Sequence, residues 1–233
     1  MEYKKITEGI FFKRPNRFIA QVIINGKEET VHVKNTGRCK ELLLPGAKVI
    51  LEDCSNNPNR KTKYSLIAVW KENMLVNMDS QVPNKVVFDA INENKIENLK
   101  NLTHLKREVT FGNSRFDMYF ESQNEKGFIE VKGVTLENEE ISMFPDAPTE
   151  RGTKHVLEMI EAVNQGYRGI IFFLIQMKGP QVFRLNWEMD KLFSEAIKVA
   201  SENGVEIIAY DSIVNNNEIY IDKPIEIDLS STL

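Results

Sequence analysis

The chain has 233 residues, 42% of them hydrophobic and 27% charged, enough for one large domain or two small ones with a packed core. No apolar run approaches the roughly 18 residues of a membrane span, and Met1-Glu2-Tyr3-Lys4-Lys5 lacks the apolar stretch of a signal peptide. Cys39 and Cys54 are the only cysteines; they read as reduced thiols, and no Cys/His cluster resembles a zinc site, so a cytoplasmic protein with no membrane partner is expected. The net charge of −4 is split, with 14 Lys+Arg against 9 Asp+Glu in residues 1–80 and 16 against 25 in the remainder. The basic first third points to an anionic partner, nucleic acid being the natural candidate, although uneven solvating charge explains the same counts.

The first third reads as short strands with tight turns: 11–13, 18–24, the hairpin signal Asn25-Gly26, 29–33, 48–52, 64–71 and 75–77. Residues 40–44 are expected to form a helical turn before Pro45-Gly46, and 55–63 a loop. Such strand density over residues 1–80 fits a small β-barrel of the OB type, for which an SH3-like barrel is the alternative. A helix is expected at 83–96, with Val86, Val87, Ala90 and Ile91 at helical spacing and Asp89 and Glu93 one turn apart. After it come strands at 104–111, at Ser114-Arg115-Phe116-Asp117 and its continuation, and at Glu130-Val131-Lys132. Asp146-Ala147-Pro148-Thr149 supplies helix-start chemistry, Asp146 as the candidate N-cap, for a helix ending near Gln165. A continuous apolar run at 169–176 reads as a strand buried on both faces. A short strand at 182–185, a helix at 190–203 and a strand at 205–210 complete an α/β domain with a mixed sheet over residues 81–233.

Within that domain, alternation puts Phe116, Met118 and Phe120 on one side of their strand, with Asp117 on the other. Ser122-Gln123-Asn124-Glu125 serves as a four-residue hairpin loop, which pairs Glu121 with Lys126 and sets Asp117 opposite Glu130, with Lys132 on the face of Glu130. Opposed carboxylates repel across a strand pair. A divalent cation of the Mg²⁺ or Mn²⁺ kind removes the repulsion, and a lysine beside it orients or deprotonates an attacking water. Solvent-facing strands would carry the same letters for solubility alone. Phe128, Ile129, Val131, Val134 and Leu136 around the charges argue instead for burial, where charges need partners.

The order helix, strand, strand with Asp, strand with Glu-x-Lys, helix, strand is similar to that of PD-(D/E)xK nuclease-fold proteins. Lys13-Arg14-Pro15-Asn16-Arg17-Phe18, Asn35-Thr36-Gly37-Arg38, Glu41-Leu42-Leu43-Leu44-Pro45-Gly46, Pro83-Asn84, Ser114-Arg115-Phe116-Asp117, Glu130-Val131-Lys132-Gly133-Val134-Thr135-Leu136, Phe144-Pro145-Asp146-Ala147 and Thr149-Glu150-Arg151-Gly152 resemble, in order, the signatures of the sugar fermentation stimulation protein family. The resemblance implies an OB-like domain followed by a nuclease-like domain, DNA binding, and a role in regulating sugar, notably maltose, metabolism. Nuclease activity is inferred from the fold. It further implies Asp117 and Glu130 as metal-binding acids, Lys132 as the catalytic lysine, the Val131 carbonyl as a further donor and Asp89 as a third acid, a solvated helix position being the alternative for Asp89. Arg151, Lys154 and His155 are then candidates to hold a phosphate, with a surface lysine the alternative for Lys154 and a packed structural histidine that for His155. In the first domain Arg14, Arg17, Lys34, Arg38 and Lys40 are candidate phosphate contacts, with Asn35 and Gly37 shaping their loop. Phe11, Phe12 and Phe18 are expected in the apolar core, stacking on bases being the alternative; His32 and His104 are expected to pack.

Two functions of different kinds follow. One is a Mg²⁺- or Mn²⁺-dependent nuclease acting on DNA or RNA; the other is a non-catalytic, sequence-nonspecific DNA-binding regulator that keeps the nuclease fold. A small-molecule phosphoesterase is disfavoured because no Gly-rich phosphate loop or Rossmann fingerprint occurs. Oligomeric state is left open, a homodimer included.

Overall fold

In the computed structural model, residues 1–35 and 37–231 are described. The first six strands are β1 (Ile6–Asn16), β2 (Ile19–Ile24), β3 (Lys27–Val33), β4 (Lys48–Asp53), β5 (Tyr64–Lys71) and β6 (Met74–Asn77). Asn25 and Gly26 both take positive φ, the geometry a two-residue turn needs to follow the twist of β2 and β3. β1 pairs with β2 and with β4, β4 with β5, and β5 returns in parallel to β3, so five strands close into an OB-like barrel. Alternate side chains such as Val22, Val31, Val49 and Leu66 fill it. Residues 40–44 hold the expected single turn and no helix beyond it, the Leu43 amide donating to the Cys39 carbonyl in an i→i+4 bond.

The second unit starts with α1 (Val82–Asn92) and a 3-10 turn (Glu97–Leu99). Asn94 takes a positive φ just past the end of α1, so the expected helix over 83–96 stops short. Strands β7 (His104–Phe111), β8 (Ser114–Glu121) and β9 (Lys126–Val134) form an antiparallel meander. β10 (Leu136–Asn138), β11 (Ile141–Phe144), α2 (Glu150–Asn164), β12 (Arg168–Ile175), β13 (Val182–Leu185), α3 (Lys191–Glu202), β14 (Glu206–Asn215), β15 (Glu218–Pro224) and β16 (Glu226–Asp228) follow. The main sheet runs β15-β14-β12-β9-β8-β7 and is mixed; a smaller sheet runs β10-β11-β13-β16. The chain is thus a mixed α/β protein with a closed five-strand barrel and a second, mixed-sheet domain.

β12 is buried on both faces, as its unbroken apolar run predicts. Ile171 and Phe173 join α2 and α3 in one core, while Ile170, Phe172 and Leu174 join α1 together with Ile50 and Ile67 of the barrel wall. The barrel therefore docks on the α1 side of the main sheet. The Tyr3 amide donates to the Asn217 carbonyl, and Glu2 bridges to Glu218, so the first residues pair beside β15 of the second domain. No helix among the described residues is long and apolar enough to cross a membrane.

Two local expectations fail. Thr149, not Asp146, caps α2: its Oγ1 accepts from the Gly152 amide at 3.1 Å, and Asp190 accepts from the Thr149 amide. Phe116 does not share the face of Met118 and Phe120. It packs on Phe128 in the α2 core, while the other two belong to the α1 core. The alternation breaks at Asp117, where the β7–β8 ladder skips Asp117 and its opposite residue Glu108, which has φ +57°.

Candidate metal centre and basic loop

The β8–β9 hairpin has the expected register, Glu121 against Lys126 through Met118 against Ile129, and there the ladder ends. Beyond that point the Asp117 side chain takes the place of backbone pairing. Its Oδ2 accepts the Val131 amide at 2.8 Å, and its Oδ1 accepts from the Asn84 side chain on α1. Glu130 is buried on the α2 side of β9, where its Oε1 accepts from Lys132 Nζ at 2.7 Å and meets His155 Nδ1 at 2.6 Å. Arg151 Nε donates to His155 Nε2 at 3.4 Å, which leaves the ring proton on Nδ1, directed at Glu130. The other oxygen, Glu130 Oε2, is buried and has no hydrogen-bond partner among the described residues.

The electrostatics of the two acids diverge. Burial and the nearby negative charge of Glu130 push the Asp117 carboxyl up to about 6, against the opposing effect of the Val131 amide. Burial also acts to raise Glu130, but the hydrogen bond from His155 and the charge and hydrogen bond of Lys132 outweigh it and hold this carboxyl below its ordinary range. One carboxylate is thus well compensated and the other is not. A divalent cation fits this donor set: a buried acceptor without a partner beside a second carboxylate that burial and like charge make reluctant to ionise. Among the described residues no group of three His, Cys, Asp or Glu side chains could hold a metal, so the remaining donors would be carbonyls, water and substrate.

Asp89 is not brought to this cluster. It pairs with Lys85 at 2.7 Å and borders a separate depression with Glu93 and Glu218. The α1 residue that reaches Asp117 is Asn84, which the Pro83-Asn84 pair marked without assigning it a role. Of the phosphate candidates on α2, His155 is buried against Glu130, whereas Arg151 and Lys154 are exposed, Lys154 Nζ donating to the Asn113 carbonyl.

In the barrel, two expected phosphate contacts, Arg14 and Lys34, are internal, and Asn35 shapes the loop as expected. The Arg14 guanidinium donates to the carbonyls of Arg17, Asn35, Gly37 and Arg38 at 2.7–2.9 Å, pinning the loop that follows β3. Lys34 is paired with buried Asp79 at 2.9 Å and with Glu52 at 3.6 Å. Asn35 donates to the Met78 carbonyl and accepts from the Gly37 amide. A charged letter in sequence does not say whether carbonyls or water surround it; the loop's unpaired carbonyls decide that here. Arg17, Arg38 and Lys40 remain exposed and border a pocket of about 370 Å³. On the inner side of the loop Asp146 packs against Gly37, where burial raises its carboxyl despite the Arg14 charge, and Cys39 is buried with its thiol pushed up to about 12.

Comparisons with known proteins agree with this two-part architecture. Residues 12–78 match the model described as SfsA N-terminal OB domain, and residues 81–218 match the sugar fermentation stimulation protein RE domain. A sugar fermentation stimulation protein homolog of Alkaliphilus oremlandii is 69% identical over 232 residues, covering 98% of this chain and 99% of that protein. A homolog of the same description from Clostridium botulinum is 55% identical over 227 residues, 97% of this chain and 98% of its own. A solved structure described as Pyrococcus furiosus SfsA in complex with Ca²⁺ superimposes with a TM-score of 0.89 at 28% identity, covering 98% of each chain. With near full-length identity of this order, both family models matched in sequence, and the same fold in a solved member, the chain belongs to the sugar fermentation stimulation protein family.

Proposed function

We propose that the chain binds DNA through its barrel domain, residues 1–80, and hydrolyses phosphodiester bonds in its second domain, residues 81–233, with Mg²⁺ or Mn²⁺ held by Asp117 and Glu130. The observation that carries this reading is Glu130 Oε2, buried without a partner beside an acid whose proton affinity is raised to about 6. The Ca²⁺ in the described Pyrococcus furiosus structure supports divalent-cation use. Bound there, such a cation would polarise the phosphate and stabilise charge developing on it. The chain's own residues do the rest. Asn84 and the Val131 amide fix the Asp117 carboxylate, and His155 orients Glu130. Lys132, largely buried, holds an ammonium next to Glu130, where it can orient a water or balance charge on a phosphate oxygen.

Labelled single-stranded and duplex DNA and RNA, incubated with Mg²⁺, Mn²⁺ or chelator, test the reading. Asp117→Asn, Glu130→Gln and Lys132→Ala are each expected to slow cleavage about 100-fold or more, with affinity in chelator unchanged. Absence of cleavage of every substrate with every cation would sink it. One observation favours the second reading, a DNA-binding regulator without turnover: each acid already has protein partners, Lys132 and His155 on Glu130 and Asn84 and Val131 on Asp117. That reading predicts DNA binding with no cleavage in wild type.

A further inference from the structure

Of the three phenylalanines near the start of the barrel, only Phe11 enters the core; Phe12 is 46% and Phe18 51% exposed. Both exposures have a local cause. The β1–β2 register shifts between Phe11 and Lys13, so Phe12 is the extra residue of a bulge, a device that turns a side chain out of strict alternation. At the hairpin tip Asn16 Oδ1 accepts from the amides of Phe18 and Ile19 at 2.9 and 3.1 Å, which fixes the tight turn presenting Phe18. Each ring carries its own cation: Lys13 Nζ lies 5.1 Å from the Phe12 centroid, and the Arg17 guanidinium 5.6 Å from that of Phe18.

Arg17 also borders the pocket it shares with Arg38 and Lys40, whose loop backbone is held by Arg14. None of the described residues lining that pocket is acidic. Exposed aromatic rings are costly to leave in water and suit either a protein or a nucleic-acid partner. Cations on both rings, and beside Phe18 a pocket whose charged lining residues are all basic, favour a polyanion that also offers aromatic faces. Duplex DNA offers the phosphates but keeps its base faces stacked inside; a single strand offers both.

We infer that the nucleic acid held by the barrel is single-stranded, its bases stacking on Phe12 and Phe18 while Arg17, Arg38 and Lys40 take its phosphates. The inference rests on the proposed DNA binding by the barrel and names the form of that substrate.

Fluorescence anisotropy of the full-length chain in chelator, with labelled oligothymidylate and a duplex of equal length, tests it without involving cleavage. Phe12→Ala and Phe18→Ala are each expected to weaken single-strand binding about 10-fold, within the range of one lost base stack. Duplex binding and the slope of affinity against salt should stay unchanged in both. Phe18→Trp should retain single-strand affinity, while Arg38→Ala should lower the salt slope. Equal losses on both probes, or no loss on either from folded variants, would overturn the inference and leave DNA binding standing; a protein partner would then account for the rings. Binding to neither probe by wild type would fail the barrel reading itself and the inference with it.

Discussion

Asp117 and Glu130 share a burial environment yet titrate in opposite directions, because only Glu130 has a cation and an imidazole N–H on the same oxygen. In the folded, metal-free chain Asp117 keeps its proton up to about pH 6, whereas an ordinary Asp releases it near 4. Below about pH 4 both states are protonated. Between about pH 4 and 6 the unfolded state ionises first, so Asp117 makes stability fall as pH rises and then level off, by about 3 kcal/mol in all. Urea unfolding in chelator across this range should show Asp117→Asn flattening that decline and exceeding wild type in stability at pH 7; an unchanged decline would refute the assignment. Arg14 offers a second test. Arg14→Lys should destabilise the chain by about 3 kcal/mol, since one ammonium cannot satisfy four carbonyls in the planar geometry of a guanidinium. Arg38→Ala should change stability by no more than about 0.5 kcal/mol. Both are read from denaturant midpoints. These residues mark the limit of what was legible: Asp117, Glu130 and Lys132 were singled out by type and spacing together with the family resemblance, but Arg14 and Lys34 carry the same charge as Arg38 and Lys40, and only the loop and Asp79 around them make them internal.

At the scale of elements, the carboxylate cluster forms because strand pairing stops. The β8–β9 ladder ends at Met118 and Ile129, the β7–β8 ladder skips Asp117, and the freed carboxylate turns to the Val131 amide and to α1. Period-two alternation predicted the hairpin, its loop and its register from residue types alone. It could not predict the switch of Phe116 to the other core, because nothing in the letters of Glu108 or Asp117 announces a backbone break. Glu108 holds a left-handed φ of +57°, a conformation that costs a non-glycine residue roughly 1 kcal/mol. Glu108→Gly should therefore stabilise the chain by about that amount in thermal or urea unfolding while leaving any cleavage rate unchanged. Destabilisation would mean that the residue does more than tolerate its conformation. Strands β10, β11, β15 and β16 escaped sequence reading; two are three residues long, and β15 follows β14 through a turn with no apolar run to mark it.

For the molecule as a whole, barrel and second domain are joined by buried polar bonds as well as apolar contact. The Asn77 amide donates to the Gln176 carbonyl at 2.9 Å, and the Gln176 side chain returns bonds to Asn77 and to the Asp79 carbonyl. Tyr3 completes the set through its hydroxyl, which accepts from Asn77 Nδ2 at 2.9 Å. Calorimetry should show a single transition for wild type, and Gln176→Ala, which strands these groups in the interface, should lower its midpoint or split it in two. Two resolved transitions in wild type would show the units to be energetically separate. Partners 99 residues apart leave no pattern in sequence, so the two units could be read there but not the seam between them.

The pairing of Glu2 and Tyr3 beside β15 bears on the order in which the chain can be completed during synthesis. Every strand of the barrel has left the ribosome long before Asn217 and Glu218 exist, so the barrel can close while the backbone of Glu2 and Tyr3 still lacks its partners beside β15, although the Tyr3 hydroxyl can already meet Asn77 of β6. Their backbone bonds are completed only when β15 emerges. A segment made before the barrel thus completes its pairing only after the barrel can close, and translation stalled before β15 would leave a closed barrel with that pairing unmade.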